Sequence, residues 1–324
     1  MAELRKRLLA GAFVMCTAAA VHAQPSAYPE RPIRMVVPFA AGGAIDVLGR
    51  VVGQELAQKL GQAVIIDNRP GGGTILGTEI VARSPADGYT VLLGNIALAI
   101  NPAVKSKLPY DTLKDLTPVA LLATQSFAIA AGTAFPASSV PELIALAKKS
   151  PGKIVYGMAG VGSGGHIAAE LFNSMAKIDL GHVGYKGGAQ VVIDLLANQL
   201  PLGVTGLPNV VPHMKAGRLK VLAITDSKRS PLAPEVPTAG EAVPGYEFSN
   251  WFGILAPRGT PSAIVTLLEK NLLAIIRAPE TSQKLLNGGF GILDKPSQAF
   301  TAMLAENISR YSKVVKEARI QVDF

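Results

Sequence analysis

The sequence is poor in residues that carry covalent or metal chemistry. Cys16 is its only cysteine in 324 residues, and it lies in an apolar N-terminal stretch. If that stretch is cleaved, the mature chain has no thiol, which excludes disulfides, a thiolate nucleophile and cysteine metal sites. Charged residues are also sparse, 17% against 49% hydrophobic ones. A chain of that balance buries a sizeable core, so wholesale disorder is excluded. The net charge of +8 comes without a block of basic residues beyond Arg5-Lys6-Arg7 and without aromatic residues interleaved among basic ones. Nucleic acid is therefore not indicated, and the charge suits a mild attraction to anions. No fixed-period repeat is present, which excludes a solenoid. Glycine and proline are abundant, 33 and 23 residues, but without a collagen period. Such glycines imply tight turns or close approaches of a ligand to the backbone.

The first 23 residues separate from the rest. Arg5, Lys6 and Arg7 precede an apolar stretch from Leu8 to Val21, which ends in Val21-His22-Ala23. This pattern predicts a secretory signal peptide cut after Ala23, with Gln24-Pro25-Ser26 as a spacer. The stretch is short for a membrane span of ~20 apolar residues, and no later segment is long enough. A lipoprotein signal would place a small residue before Cys16, where Met15 stands. Removing Arg5, Lys6, Arg7 and Glu3 takes away a net +2, so +8 falls to about +6. The predicted compartment is outside the cytoplasm.

The remaining length suits two domains. It alternates short apolar runs with glycine loops and helical periodicity. Ile33 to Val37 predicts a strand, followed by helical spacing at Ile45, Leu48, Val52, Leu56 and Leu60 that stops at Gly61. Val64 to Ile66 predicts a second strand, a helix starts near Thr74, and Tyr89 to Leu93 predicts a third strand. The grammar returns at Lys153 to Tyr156 (strand) and His166 to Ala176 (helix). It returns again at Gly181 to Val183 (strand), Ala189 to Ala197 (helix) and Leu219 to Thr225 (strand). Thr260-Pro261 predicts a helix cap and first position, and another helix starts near Ser297. Repeated strand–loop–helix units predict an α/β fold with mostly parallel sheets.

Four glycine loops carry the functional signal: Ala41-Gly42-Gly43, Gly71-Gly72-Gly73, Gly160 to Gly165, and Gly187-Gly188. Each is predicted between a strand's carboxyl end and a helix start. Ligands of open α/β sheets bind at that end, and the free N–H groups of a helix start favour an anion. Glycines that merely turn the chain are the alternative for any single loop. Ser163 and Thr205 add short hydroxyls able to donate to an anion. Asn95 follows the third predicted strand. Asp46 either orients the first loop by accepting backbone N–H groups or reaches a ligand through water. His166 either donates to an anion or caps and packs.

Enzymatic motifs match poorly. Gly160, Gly162 and Gly165 satisfy GxGxxG, but Gly184-Tyr185-Lys186 stands where a dinucleotide fold wants an acidic residue. There is no GxxxxGK[ST], and Val161 breaks a GxSxG elbow at Ser163. His166, His182 and His213 show no HExxH or other metal spacing. A dinucleotide-dependent enzyme, or a hydrolase using Ser163 with His166, remains the second class of function.

The loops also resemble a known family. Pro38-Phe39-Ala40-Ala41-Gly42-Gly43-Ala44-Ile45-Asp46, Gly61-Gln62 through Asp67-Asn68-Arg69-Pro70-Gly71, and Pro85 to Thr90 resemble successive signatures of the tripartite tricarboxylate transporter receptors, the Bug family. Tyr156 to Ser163 with His166, Tyr185-Lys186-Gly187-Gly188, Pro237-Thr238 with Glu241, and Trp251 to Pro257 follow in the same order. The resemblance covers nearly the whole mature chain. It implies a type II-like periplasmic binding protein, with two α/β domains around a ligand cleft. Residues 24–122 and 252–324 would form a discontinuous first domain and 123–251 the second. Its implied task is to capture a small organic carboxylate without catalysis or cofactor. The captured acid would pass, from a monomer, to the membrane subunits of a tripartite tricarboxylate-type transporter or to a sensor kinase. Taken with the loop chemistry above, the expected ligand residues are Ala41, Gly42, Gly43, Asp46, Gly73, Thr74, Asn95, Gly162, Ser163, His166, Gly187, Gly188 and Thr205. The family commonly has a glycine at Thr74, an asparagine at Ile75, a serine at Met158, and acidic residues at Pro201 and Thr205. These departures would strip polar groups from the cleft rim and favour a more apolar acid without an ammonium group.

Overall fold

Ile33, Met35, Val36 and Val37 of the first strand, β1 (Ile33–Val37), are all fully buried. Successive strand side chains point to opposite faces, so a strand buried at both phases needs a sheet covered on both sides. That is the arrangement in the computed structural model, which describes residues 28–105 and 107–317. The segment read as a signal peptide lies outside them.

After β1 come α1 (Ala44–Leu60), β2 (Val64–Asn68), α2 (Ile75–Ala82), β3 (Thr90–Asn95), α3 (Ala97–Val104) and the single turn α4 (Thr112–Asp115). Helix α1 stops at Gly61, whose left-handed backbone (φ 68°) returns its N–H to the Ala57 carbonyl. Two consecutive strands follow, β4 (Leu116–Gln125) and β5 (Phe127–Gly132), separated by Ser126 alone. Next are α5 (Val140–Lys149), β6 (Val155–Met158), α6 (Gly164–Ala176), β7 (Gly181–Gly184), α7 (Gly188–Leu196), β8 (Leu202–Gly206), α8 (Leu207–Lys215) and β9 (Leu219–Ile224). The described residues finish with β10 (Asn250–Pro257), α9 (Ser262–Arg277), α10 (Pro279–Asn287), β11 (Gly291–Pro296) and α11 (Ser297–Glu317). The start of α9 differs from expectation. The Thr260 hydroxyl donates to the Pro257 carbonyl at 2.8 Å instead of capping, and the helix begins only after Pro261.

The strands form two sheets, ordered β11-β4-β10-β3-β1-β2 and β7-β6-β8-β5-β9. The expectation of mostly parallel sheets needs correction. The pairs β1–β2, β1–β3, β6–β7 and β6–β8 are parallel, but every pair made by β4, β5 or β10 is antiparallel. The reason is connectivity. Helical crossovers return the chain in the same direction, whereas strands that carry it out of one sheet and back enter against their neighbours.

Register fixes which edges meet. In the first sheet Phe252 lies opposite Asn95 and Asn250 opposite Gln125, so β3 and β4 end where β10 begins. In the second, Phe127 lies opposite Gly206 and Ala128 opposite Ile224, so β8 and β9 end where β5 begins. Ser126 joins Gln125 to Phe127. The carboxyl edges of the parallel strands of both sheets therefore border one seam.

One apolar cluster runs beneath both sheets, from Val36 and Leu92 through Ile96, Phe248, Trp251, Phe300 and Tyr311 to Met158 and Ile167. Helix α11 anchors it, packing on β4 and α3 of the first sheet's layer and on α6 of the second's. Trp251 and Phe300 meet edge-on at 5.2 Å, a geometry that adds to their area burial. The opposite faces have separate cores, around Met35, Leu48 and Leu93 in one lobe and Val191, Leu195 and Leu207 in the other.

Candidate binding site

The first loop is built around Asp46. Its Oδ2 accepts from the Gly42 N–H at 2.9 Å and Arg50 Nε at 2.9 Å. Its Oδ1 accepts from Arg50 Nη2 at 3.1 Å and Asn68 Nδ2 at 3.0 Å. Asn68 also donates to the Phe39 carbonyl at 3.1 Å, tying the first loop to the second. Burial opposes ionisation of Asp46, but the donors from Arg50, Gly42 and Asn68 outweigh it and hold the carboxyl below its ordinary value. A carboxylate accepts about four such bonds. All are used here, so Asp46 has a loop-orienting role and offers no oxygen to a ligand. Ala41, Gly42 and Gly43 form the exposed tip. Gly43 supplies no side-chain cap to α1, so amides of its first turn stay available.

The second loop is a left-handed run: Gly71, Gly72 and Gly73 have φ of 146°, 56° and 64°, and Thr74 continues it at 82°. A β-branched residue rarely occupies that region. Thr74 is 4% exposed, and its Oγ1 accepts from Asn101 Nδ2 at 3.2 Å. Asn101 also donates to the Gly73 carbonyl at 3.0 Å. At the end of β3, Asn95 accepts from the Ala97 N–H at 3.2 Å and donates to Asn250 at 3.4 Å.

In the third loop the Ser163 oxygen accepts from the backbone N–H of His166 at 3.3 Å, capping α6. The Gly162 N–H donates to His166 Nδ1 at 3.0 Å. Two expected ligand groups, the Gly162 amide and the His166 ring, are therefore spent on each other. The ring is 1% exposed, and burial with the neighbouring His182 lowers its pKa to about 4. The same geometry removes the hydrolase reading. Ser163 bonds to the backbone of His166, and the ring's Nδ1 is occupied by the Gly162 N–H. Behind the ring, Glu170 Oε1 lies 3.8 Å from His166 Nε2 and 3.8 Å from His182 Nδ1, and accepts from Tyr156 OH at 2.7 Å. His166, Glu170 and His182 thus gather three metal-ligating groups where no motif spacing announced them. Sequence carried one signal, the four-residue separation of His166 and Glu170 on one helix face. The tautomer opposes metal ligation. Nδ1 accepts a hydrogen bond, so Nε2 carries the ring proton and offers no lone pair.

The fourth loop leaves α7 without a side-chain cap at Gly187. A Cβ on Gly188 would come within 2.4 Å of Thr205 Oγ1, so only glycine lets the loop lie this close. Thr205 is 2% exposed and accepts from Asn209 Nδ2 at 3.2 Å. Its hydroxyl proton remains free to donate.

The seam brings the lobes into contact. A Cβ on Gly164 would lie 3.3 Å from Ile96 of the first lobe and 3.1 Å from Phe127. A Cβ on Gly206 would lie 3.5 Å from Gln125 Oε1. Gln125, Asn250, Asn209, Ile96 and Phe127 are seam residues that the sequence did not single out, because they sit on crossing strands and helix starts without glycine signatures. Two of the departures lie elsewhere. Met158 is fully buried in the core, and Pro201 precedes β8 at the end remote from the seam. Thr74, Ile75 and Thr205 stand at seam-facing strand–helix junctions. A cavity of about 410 Å³ is a separate feature beside the crossings, lined by Ser126, Asp226, Ser249 and Lys295 and by none of the four loops.

Comparison with known proteins agrees with this geometry. The tripartite tricarboxylate transporter family receptors match the chain over residues 48–320. Protein BugT of Bordetella pertussis is 34% identical over 317 residues, 96% of this chain and 97% of BugT. A Rhodopseudomonas palustris protein solved with adipate superposes with a TM-score of 0.81 at 36% identity, covering 91% of this chain and 99% of that one. MatC from the same organism, solved with bound malate, gives 0.77 at 31% identity, covering 89% and 100%.

Proposed function

The chain belongs to the tripartite tricarboxylate transporter receptor family, and from that premise we propose that it binds a small organic carboxylate in the seam between its two sheets and passes it to that transporter's membrane subunits. It is a solute-binding receptor and not an enzyme. The seam carries the proposal: uncapped helix starts and glycine amides from both lobes converge on it, beside neutral amides and hydroxyls. Hydrogen bonds to a charged group contribute about 1.5–3 kcal/mol each, so several suffice for a micromolar constant near −8 kcal/mol. The ligand residues we assign are the free backbone and hydroxyl donors of Ala41, Gly43, Gly73, Thr74, Ser163, Gly187, Gly188 and Thr205, with Asn95, Gln125, Asn209 and Asn250 between them.

The ligand class follows from what charge is left over. Asp46 is saturated, and Asp67 is held between Arg34 Nε (2.7 Å) and Arg69 Nε (2.9 Å). Neither carboxylate at the loops can pair with an ammonium group, while the half-buried Phe127 offers apolar surface. A dicarboxylate or apolar acid fits better than an amino acid. Calorimetry with adipate, malate, aspartate and glutamate tests this. Binding of adipate or malate without their consumption is expected, and preference for aspartate or glutamate overturns it.

We further infer that the described residues 28–125 with 250–317 form one domain and 127–249 the other, the chain changing sheets at Ser126 and just before Asn250. The protein acts as a periplasmic monomer after cleavage near Ala23. The mass of the exported protein and its sedimentation test these two points.

A further inference from the structure

We propose that Glu170 is a positioning residue of this receptor: its carboxylate faces the Nε2–H of His166 and so selects the ring tautomer that holds the Gly162 amide and sets the third glycine loop. The consequence for binding rests on the carboxylate-receptor reading above; the tautomer itself does not.

The Gly162 N–H can donate to Nδ1 only if Nδ1 is unprotonated. The ring proton then sits on Nε2, which is buried and has no hydrogen-bond partner. The acceptor it faces is Glu170 Oε1, at 3.8 Å. In the other tautomer, Nδ1–H would oppose the Gly162 N–H and a bare Nε2 would oppose a carboxylate, so both ends of the ring would be mismatched. Glu170 is itself fixed. Tyr156 OH donates to Oε1 at 2.7 Å, Asn173 Nδ2 approaches it at 3.5 Å, and His182 Nδ1 lies 3.8 Å away from the exposed edge strand β7. The His182 ring stands edge-on to that of His166 at 4.6 Å.

What the arrangement secures is the shape of the loop. With Gly162 tied back, Ser163 caps α6, and Gly164 is pressed against Ile96 and Phe127 at the seam. A metal-ligating histidine is oriented in the same way, its outer nitrogen held by a carboxylate. Here the inner nitrogen holds a backbone amide in place of a metal.

Nitrogen NMR of histidine-labelled protein reads the tautomer directly. Wild type is expected to carry the His166 proton on Nε2 and to show slow hydrogen exchange at Gly162. Glu170→Gln keeps an acceptor oxygen of the same size, and should preserve the tautomer and hold adipate affinity within about threefold. Glu170→Leu should mix the tautomers, speed exchange at Gly162 and weaken adipate about tenfold. A proton on Nδ1 in the wild type overturns the proposal, and this result needs no variant to fold. So does a Glu170→Leu protein with unchanged tautomer and exchange, or stoichiometric Zn²⁺ binding abolished by His182→Ala. If wild type bound none of the acids, the receptor reading would fail while tautomer and exchange still decided the role of Glu170.

Discussion

Single residues here answer to the hydrogen bonds they complete. His166 titrates near 4 because burial, with His182 beside it, disfavours its charge, whereas an unfolded histidine titrates near 6.5. Between those values the unfolded chain binds more protons, so stability is fully present above about 6.5 and falls with pH. The loss approaches about 3 kcal/mol near pH 4. Urea titrations at pH 7 and 4.5 should show a smaller drop for His166→Gln than for wild type. Asp46 contributes in a lower window. Its pKa is depressed, so its share is present above the ordinary carboxylate value of about 3.9 and is lost only as pH falls below it. Sequence showed that Asp46 could orient its loop. It did not show that Arg50 and Asn68 would complete the set, because Asn68 comes from another strand.

At the scale of elements, the strand–loop–helix units were legible because apolar runs, glycines and helical spacing coincide. Their strain was not legible. Thr74 holds a left-handed backbone in which glycine costs nothing. Thr74→Gly should raise stability by about 1 kcal/mol, net of the lost Asn101 contact and the greater freedom of glycine in the unfolded chain; denaturant midpoints check this. The fourth loop gives the converse case. Gly188→Ala drives a methyl into Thr205 Oγ1, and should cost about 1–3 kcal/mol of stability by overpacking and weaken adipate. Adding Thr205→Ala removes the obstructing oxygen, so the double variant should regain part of the stability. Strict additivity in that cycle would show that the contact does not limit the loop.

Across the molecule, the two lobes share α11 and the cluster beneath both sheets. Phe300 is fully buried against Trp251, and Phe300→Ala should cost about 3–5 kcal/mol. Because the cavity would lie where the crossing strand β10 meets α11, adipate affinity should fall as well, measured by calorimetry under conditions where the variant remains folded. Trp251, the only tryptophan, gives a fluorescence signal at that crossing.

The sequence determined the α/β grammar, the four glycine loops and, through an ordered set of motifs, the receptor family, because these depend on local spacing and backbone conformation. Tertiary structure alone decided that Gly162 and His166 satisfy each other, that Met158 and Pro201 lie away from the seam, and that Gln125, Asn250 and Asn209 border it. The physical reason is register. Antiparallel crossing strands set which edges meet, and a hydrogen bond between residues distant in sequence has no local pattern to announce it.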